Sequence, residues 1–415
     1  MNERREPEPQ PTDELKMLQT LPVAFLCGLL GSWINLKSLV YLDIAHCNEP
    51  DRLALTSLLS SHSYVFRNSV TFCKPELVTW LSIKKIKVSK VVLKPYINLE
   101  LLSDYLRTSG PAISALRIWS GQKTNEMYTI AIHCKNLQIL ECDGIQLDAA
   151  FKEVLWSNPN LSEIWLNGVN CNCTAMFDKV PLNKLHTLSI RNSTCSRKNL
   201  TLSGVTSNNA LKKLRLGWSL GSEVVVQFAQ TSPELLSLSL KDAQLPNETL
   251  IEVCSVLPNL LHLDISNNRK LNSEGACQMF EKLKKLRSIN IQTCTTMGDG
   301  SINSLATHCG STLEVVYMSV QNVNAPSTVD ALHMFGEHCP KLHYLSLHCY
   351  RNVLCLAGGT FALLQGLPAL RTLVVESAEV ISVSSREFLK IMRPQLQIEV
   401  EHAVKHVYNA LSMPI

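Results

Sequence analysis

The chain is 415 residues long, carries a formal net charge of +4 at pH 7, and is 46% hydrophobic but only 6% aromatic. This length allows either a few globular domains or one long array of repeats. Because the charge is nearly balanced, we expect neither nucleic-acid binding nor binding to a membrane surface.

The cysteines and the N-terminus bear on the cellular compartment. Fifteen cysteines are spread over the whole length, and residues 1–11 are polar and charged, without the apolar core of a signal peptide. The longest apolar stretch, Leu21 to Ile34, is too short to cross a bilayer. We therefore predict reduced and mostly buried thiols, no membrane partner, and a cytoplasmic or nuclear location.

The N-terminal part is predicted to contain a polar tail at residues 1–18 and a module of short helices at residues 19–62. The module opens with Leu21-Pro22, continues with leucines at helical spacing and stays apolar through Cys47. These features resemble the F-box, a helical module that docks on the Skp-type adaptor of cullin–RING ubiquitin ligases. The resemblance implies these adaptor-binding residues: Leu21, Pro22, Leu26, Leu29, Leu30 and Leu39.

The module departs from the F-box pattern at two places. Lys37-Ser38 stand before Leu39, where the family usually carries an acidic residue, and Cys47 is followed by Asn48-Glu49-Pro50 in place of a basic residue and a tryptophan. Two alternatives stay open. The segment from Leu39 through Ile44 can also be a first repeat strand, or the whole module can be an irregular cap on a repeat array.

One pattern then recurs along the chain: an apolar residue, two of any kind, an apolar residue, one of any kind, and an apolar residue. Its starting positions lie 24 to 30 residues apart. They are Ile83, Ile113, Leu137, Leu161, Leu185, Leu211, Leu235, Leu260, Leu286, Leu313, Leu342 and Leu370, and the segment Pro394 to Ile398 is a weaker last member. This regularity predicts a leucine-rich-repeat solenoid of about 12–13 repeats over residues 63–400, followed by a tail at 401–415.

Each repeat predicts a strand followed by a helix. The last two apolar residues of the pattern alternate with other residues, which places them on one face of a short strand. Apolar residues at helical spacing follow, and prolines such as Pro258 and Pro340 end several helices. Because no single repeat can bury its apolar face, we expect an α/β horseshoe with a parallel sheet on the concave face and helices on the convex face.

Cysteines mark particular positions of the repeat. Cys294 occupies the ninth position of its pattern, and Cys134, Cys309 and Cys339 each precede a strand and follow a histidine. The period near 26 and these positions resemble the cysteine-containing subclass of leucine-rich repeats, in which such thiols are core and turn residues. Since the three His-Cys pairs belong to separate repeats, we interpret them as structural and not as metal ligands or nucleophiles.

Exposed strand positions of the concave face are the predicted binding surface. Large amphipathic side chains on a rigid sheet are typical of binding hot spots. The candidate target-binding residues are Arg117, Trp119, Trp165, Arg215, Tyr317 and Tyr344. A lysine cluster is interpreted as a solvated basic edge, with an acidic partner or nucleic acid as the alternative: Lys84, Lys85, Lys87, Lys90 and Lys94.

The sequence contains no motif for catalysis or for a cofactor. It has no phosphate-binding glycine loop, no Gly-x-Ser-x-Gly, no His-Glu-x-x-His and no paired Cys-x-x-Cys. We therefore predict a protein that is not an enzyme and has neither metal nor cofactor. The leading hypothesis is a substrate-recognition subunit of an F-box-type ubiquitin ligase with an unknown target protein. The alternative is an interaction scaffold without a ligase link, and a GTPase activator is a third interpretation.

Overall fold

The computed structural model describes residues 21–45, 49–61, 64–95, 97–119, 124–171, 176–177, 180, 183–193, 210–217, 220–320, 333–349, 366–375, 387 and 391–400. The tails predicted at residues 1–18 and 401–415 lie outside these ranges. The chain divides into two compact units, Met1–Leu161 and Ser162–Ile415. Within the described ranges, no helix combines the length and the apolar character needed to cross a membrane.

The first unit opens with helices α1 (Val23–Trp33), α2 (Leu36–Ala45) and α3 (Glu49–Ser60). The Asn35 side chain accepts a hydrogen bond from the Ser38 backbone amide at 2.8 Å, which caps the start of α2. The predicted short helices are therefore present. The alternative in which Leu39 through Ile44 forms a repeat strand is wrong, because this cap commits the segment to a helix.

Strands and helices alternate through the rest of the first unit. They are β1 (Val65–Phe72), α4 (Pro75–Ile83), β2 (Lys87–Leu93), α5 (Leu99–Ser109), β3 (Ala115–Ile118), α6 (Thr124–His133), β4 (Ile139–Asp143), β5 (Gln146–Leu147) and α7 (Ala149–Ser157). A 3-10 turn, Gly110–Ala112, follows α5. Strands β1 to β4 pair with one another in parallel and in chain order.

The register of the first predicted repeat is wrong by five residues. Ile83 is the last residue of α4 and is 71% exposed. Strand β2 pairs with β3 so that Val91 lies opposite Leu116. The pattern therefore begins at Val88, 25 residues before Ile113, and the outlying step of 30 disappears. Because Ile86 and Val88 alternate like strand residues, the sequence also fits the register that starts at Ile83.

Strand β1 is absent from the sequence-based prediction. Phe66, Val70 and Phe72 are buried, as the apolar positions of a repeat strand should be. However, the pairing of β1 with β2 shifts in register between Phe66 and Ser69. The extra residue breaks the spacing by which the repeat is recognised in the sequence.

The second unit continues the alternation. Its elements are β6 (Glu163–Asn167), β7 (Asn170–Cys171), β8 (Thr187–Arg191), β9 (Lys213–Leu216), α8 (Ser222–Thr231), β10 (Ser237–Ser239), α9 (Asn247–Val256), β11 (His262–Asp264), α10 (Ser273–Phe280), β12 (Ser288–Ile291), α11 (Asp299–Cys309), β13 (Val315–Val320), β14 (Tyr344–Cys349), β15 (Thr372–Val375) and β16 (Gln397–Val400). Apart from the short β7, successive strands pair in parallel.

The repeat pattern supplies the core. Leu260, Leu263 and Ile265 are each at most 1% exposed, and the equivalent residues of neighbouring repeats are buried in the same way. Between the strands, helices such as α9 bury one face, which includes Leu250 and Val253. Each fully buried side chain of this size stabilises the fold by about 1.5–3 kcal/mol. Each unit is therefore an α/β leucine-rich-repeat solenoid, which confirms the predicted fold class.

Buried polar and sulfur-bearing side chains close the turns after the strands. Asn268 donates from Nδ2 to the carbonyl oxygens of Leu240 and Ile265, both at 2.8 Å, and so joins two adjacent repeats. Cys294 occupies the same position one repeat later, and its thiol lies 3.2 Å from the carbonyl oxygen of Ile265. The turn role predicted for Cys294 is confirmed, and Asn268 has the same role one repeat earlier.

The cysteines that precede strands are core residues. Cys134, Cys309 and Cys339 are fully buried, and burial raises the pKa of each thiol to about 12. These thiols are therefore neutral at pH 7, as the structural interpretation expects. Not every cysteine is buried, however: Cys73, just after β1, is exposed.

Candidate protein-recognition face of the sheet

The strand residues between the buried positions form the outer face of the sheet. In the second unit, one row of this face runs across neighbouring strands, each member lying opposite the next in the strand pairing. Its members are Trp165, Ser189, Arg215, Ser239, Asp264, Asn290, Tyr317, Ser346 and Val374. Serines separate several of the large members, so a large side chain can lean across its short neighbour toward the next one.

Trp165 and Arg215 show the effect of this alternation. Ser189 separates them in the row and is only 2% exposed. The Arg215 guanidinium carbon lies 5.1 Å from the centre of the Trp165 ring, within cation–π distance. The ring is also held by a hydrogen bond, because Trp165 Nε1 donates to Glu163 Oε2 at 3.0 Å. The pair is thus fixed in place before any partner binds.

A second arginine, Arg191, lies close to Arg215 on the adjacent strand. Burial and then the positive charge of Arg191 lower the pKa of Arg215, while the charge of Asp264 raises it. Burial likewise lowers the pKa of Arg191, and Asp264 again opposes the change. The Asp264 carboxylate is held by Ser239 Oγ at 3.2 Å and by the Ser266 amide and hydroxyl at 3.0 and 2.7 Å.

Two tyrosines of the outer face also pair across strands. The ring centres of Tyr317 and Tyr344 lie 5.0 Å apart with a tilt of 45° between the ring planes. The residues are diagonal neighbours, since Tyr317 lies opposite Ser346 on the strand that carries Tyr344. Such aromatic pairs contribute about 0.5–1.5 kcal/mol beyond the burial of their surface.

A third cluster lies in the first unit. Arg117 Nε lies 3.4 Å from Glu141 Oε2 on the next strand, and its guanidinium carbon lies 4.9 Å from the centre of the Trp119 ring. Lys94 Nζ lies 3.5 Å from the same ring centre. Trp119 Nε1 is buried without a hydrogen-bond partner among the described residues. One indole ring therefore contacts two cations.

The six residues predicted to contact a target thus form three contacting pairs: Arg117 with Trp119, Trp165 with Arg215, and Tyr317 with Tyr344. Their contact with a target stays a prediction. Sequence reasoning missed Arg191, which directly follows the last buried residue of its strand. The signal that could have found it is a charged residue immediately after the last apolar position of the pattern.

The residues predicted to bind an adaptor have different exposures. Leu39 is fully buried, so it belongs to the core and cannot be a contact residue. Pro22 is exposed, while Leu21, Leu26, Leu29 and Leu30 are half-buried. The strongly exposed apolar side chains of helices α1 to α3 are others: Val23, Phe25, Trp33, Tyr41, Ile44 and Leu53, at 56 to 84%.

These helices are joined to the first repeats by specific contacts. Asn68 of β1 donates from Nδ2 to the carbonyl oxygens of Ser32 and Ile34 at 3.4 and 3.1 Å. Gly31 packs so closely on the Val65 carbonyl that a Cβ would not fit there. The α1 helix therefore packs directly against the first described strand.

A buried ion pair also attaches α2 to the first repeats. The Asp43 carboxylate, 5% exposed, accepts hydrogen bonds from Lys84 Nζ at 2.7 Å and from Trp80 Nε1 at 3.3 Å. Burial raises the Asp43 pKa, but these hydrogen bonds and the nearby positive charges outweigh it, so the pKa is lowered. Lys84 is therefore a structural residue, and the prediction that it belongs to a solvated basic edge is wrong.

Comparison with known proteins gives no family. No protein-family model matches the chain, and no curated protein is significantly similar to it. Among the described residues, no group of three or more His, Cys, Asp or Glu side chains could hold a metal ion.

Solved structures resemble the chain weakly. One is the Rad7 and Elc1 complex of yeast, with a TM-score of 0.42, 16% identity, and coverage of 88% of this chain and 98% of that one. Another is an internalin, InlF, of Listeria monocytogenes, with a TM-score of 0.40, 12% identity, and coverage of 77% and 88%. Because both TM-scores are below 0.5, neither resemblance carries a functional conclusion.

Proposed function

We propose that the chain is a non-catalytic recognition subunit that binds a target protein on the outer face of its repeat sheet. The observation that carries this proposal is the Trp165–Arg215 pair, in which a fixed indole ring and a guanidinium stand side by side on a rigid sheet. Tryptophan, tyrosine and arginine are the residues most enriched among binding hot spots.

Preorganisation supports the same proposal. Trp165 is already hydrogen-bonded to Glu163, and the Tyr317 and Tyr344 rings are already in contact. A side chain that is ordered before binding loses less conformational entropy in the complex, which saves about 0.5–1.5 kcal/mol for each immobilised side chain. A smaller part of the binding free energy from contacts on the outer face is therefore lost to the ordering of its side chains.

We further propose that helices α1 to α3 dock on a Skp-type adaptor of a cullin–RING ubiquitin ligase. The support is their exposed apolar surface, on which Phe25 is 56% and Trp33 84% exposed. Exposed apolar side chains that form a contiguous patch mark interaction surfaces in soluble proteins, and Phe25 and Trp33 lie on the same helix, α1. The chain would then hold the target near activated ubiquitin, and tethering would replace a bimolecular encounter by an effectively intramolecular one.

The alternative function is an interaction scaffold whose N-terminal helices are only a cap. The contacts of Asn68 with α1 and of Asp43 with Lys84 favour it, because they fasten the helices to the first repeats. A solenoid end needs such a cover. The two functions share the same target-binding face and differ in whether α1 to α3 bind an adaptor.

Photo-crosslinking tests the target-binding face. A benzophenone amino acid would replace Ser237 on the outer face of β10 or, as a matched control in the same repeat, exposed Glu248 on helix α9. We expect a specific crosslinked protein from position 237 that is lost in the Trp165→Ala variant. The same products from both positions would contradict recognition by the outer face.

A further inference from the structure

Arg191 and Arg215 form an unusual pair of charges on the outer face of the second unit. They lie on the adjacent strands β8 and β9, and each is half-buried. No carboxylate of the described residues comes within 4.0 Å of either guanidinium, and Arg191 Nε is buried without a hydrogen-bond partner among those residues. Both side chains stay charged at any ordinary pH.

The neighbouring carboxylates do not neutralise this pair by contact. Asp264 accepts hydrogen bonds from Ser239 and Ser266, and Glu163 accepts one from Trp165. Partial burial of two like charges that no described carboxylate contacts is unfavourable. An anion that contacted both guanidiniums would remove this cost.

The described residues beside the two arginines are small. Gly217 lies beside Arg191, and a Cβ at this position would lie 3.1 Å from the Arg191 Cα atom. The two neighbours of Arg215 along the row are Ser189 and Ser239, both short. The guanidiniums are therefore flanked by small residues, with the Trp165 ring standing at one side.

We propose that Arg191 and Arg215 bind a phosphorylated serine or threonine of the target protein, with Trp165 contacting the residues beside it. This proposal rests on the proposed function and names the chemistry of the bound segment. A phosphate group carries a charge near −2 and three terminal oxygens, so it can accept hydrogen bonds from two separate guanidiniums. A carboxylate has two oxygens and a single charge, which suit one guanidinium.

Peptide libraries provide the test. The labelled full chain would be passed over three immobilised libraries with degenerate flanks and a central phosphoserine, glutamate or serine. We expect at least tenfold greater retention on phosphoserine than on serine, and a smaller gain on glutamate. Arg191→Met and Arg215→Met should reduce retention on phosphoserine to the serine level. Arg287→Met is the matched control, because Arg287 is an exposed arginine that is paired with Glu314, and it should retain binding.

Thermal unfolding separates this role from a structural one. Removing a half-buried charge that no described carboxylate contacts should leave the Tm of Arg191→Met unchanged or raised, whereas a structural arginine would lower it. In wild type, inorganic phosphate should raise the Tm more than chloride at equal ionic strength, and Arg215→Met should abolish the difference.

Equal retention on phosphoserine and serine, or preference for glutamate, would overturn the phosphate site. The proposed function is tested separately, because the photochemical crosslink from position 237 reports target binding whether or not that binding requires a phosphate group. A target that crosslinks there in a Trp165-dependent manner, and still does so after phosphatase treatment, would refute the phosphate site while leaving recognition intact. Loss of the Trp165-dependent crosslink after phosphatase treatment would support it.

Discussion

Arg215 leans across the buried Ser189 and places its guanidinium carbon 5.1 Å from the centre of the Trp165 ring. The contact spans two strand spacings, and a larger residue at position 189 would separate the two side chains. A short residue between two long ones therefore creates a preformed binding pair on an otherwise regular sheet.

The Trp165 ring should be a binding hot spot. We expect Trp165→Ala to weaken target binding by about 2 kcal/mol or more, which corresponds to roughly thirtyfold in Kd. Trp165→Phe keeps a ring for the arginine and should lose less. Once crosslinking has identified the target, a titration of the free target with each variant measures its Kd. Equal Kd values for wild type and Trp165→Ala would refute the assignment.

The Asp43–Lys84 ion pair should dominate the attachment of α2. Asp43→Ala leaves Lys84, whose side chain is 12% exposed, without its carboxylate, and should lower the free energy of unfolding by about 3 kcal/mol. Urea denaturation measures this loss. Asp43→Ala/Lys84→Met removes both charges and should recover part of it, whereas equal losses in the single and double variants would show that the pairing is unimportant.

The Asp43 carboxylate makes the free energy of unfolding depend on pH in the acid range. The pKa of Asp43 is lowered from 3.8 in the folded protein, so the folded state favours the ionised form. The contribution of Asp43 to the free energy of unfolding is present above pH about 3.8 and is lost as the pH falls through the folded-state pKa. We expect the acid slope of the unfolding free energy to be shallower in Asp43→Ala than in wild type, and identical slopes would contradict this.

Gly300 in helix α11 and Gly310 directly after it should respond oppositely to substitution by alanine. A Cβ at Gly310 would lie 2.5 Å from the His338 carbonyl oxygen, whereas a Cβ at Gly300 would meet nothing within 4 Å. Gly310→Ala should destabilise the protein by about 2 kcal/mol through overpacking. Gly300→Ala should stabilise it by about 0.5 kcal/mol through reduced backbone entropy of the unfolded chain. Thermal unfolding of both variants checks the contrast, and a similar Tm for the two would refute it.

Thiol accessibility should follow burial. Cys73 is exposed and should react with a maleimide in the native protein at pH 7. Cys134, Cys309 and Cys339 are buried with raised pKa values and should react only after unfolding. Mass spectrometry of peptides after labelling identifies the modified sites. Native labelling of Cys309 at the rate of Cys73 would contradict this packing.

The repeat period is sufficient to predict the core and the outer face. Leu260, Leu263 and Ile265 are buried because a fixed spacing brings equivalent residues to equivalent places in stacked repeats. The same spacing places Trp165 and Tyr317 on the outer face. These features depend on local pattern alone, which the sequence carries directly.

Other features depend on relationships that the pattern does not carry. Strand β1 escapes the prediction because one extra residue between Phe66 and Ser69 interrupts its spacing. The contact of Asp43 with Lys84 joins residues 41 positions apart in two different helical regions. The repeat pattern aligns Ser189 with Arg215 correctly, but Arg191 lies beyond the last position of the pattern, so the pattern assigns it no place beside Arg215.

Calorimetric titration of the full chain with a Skp-type adaptor tests the ligase-receptor account most directly. Wild type should bind, Phe25→Asp/Trp33→Asp should lose at least tenfold in affinity, and Trp156→Asp should match wild type. All three residues are exposed aromatics, and Trp156 lies on α7, away from helices α1 to α3. Absence of binding by folded wild type would contradict the account and leave a recognition solenoid with an N-terminal cap.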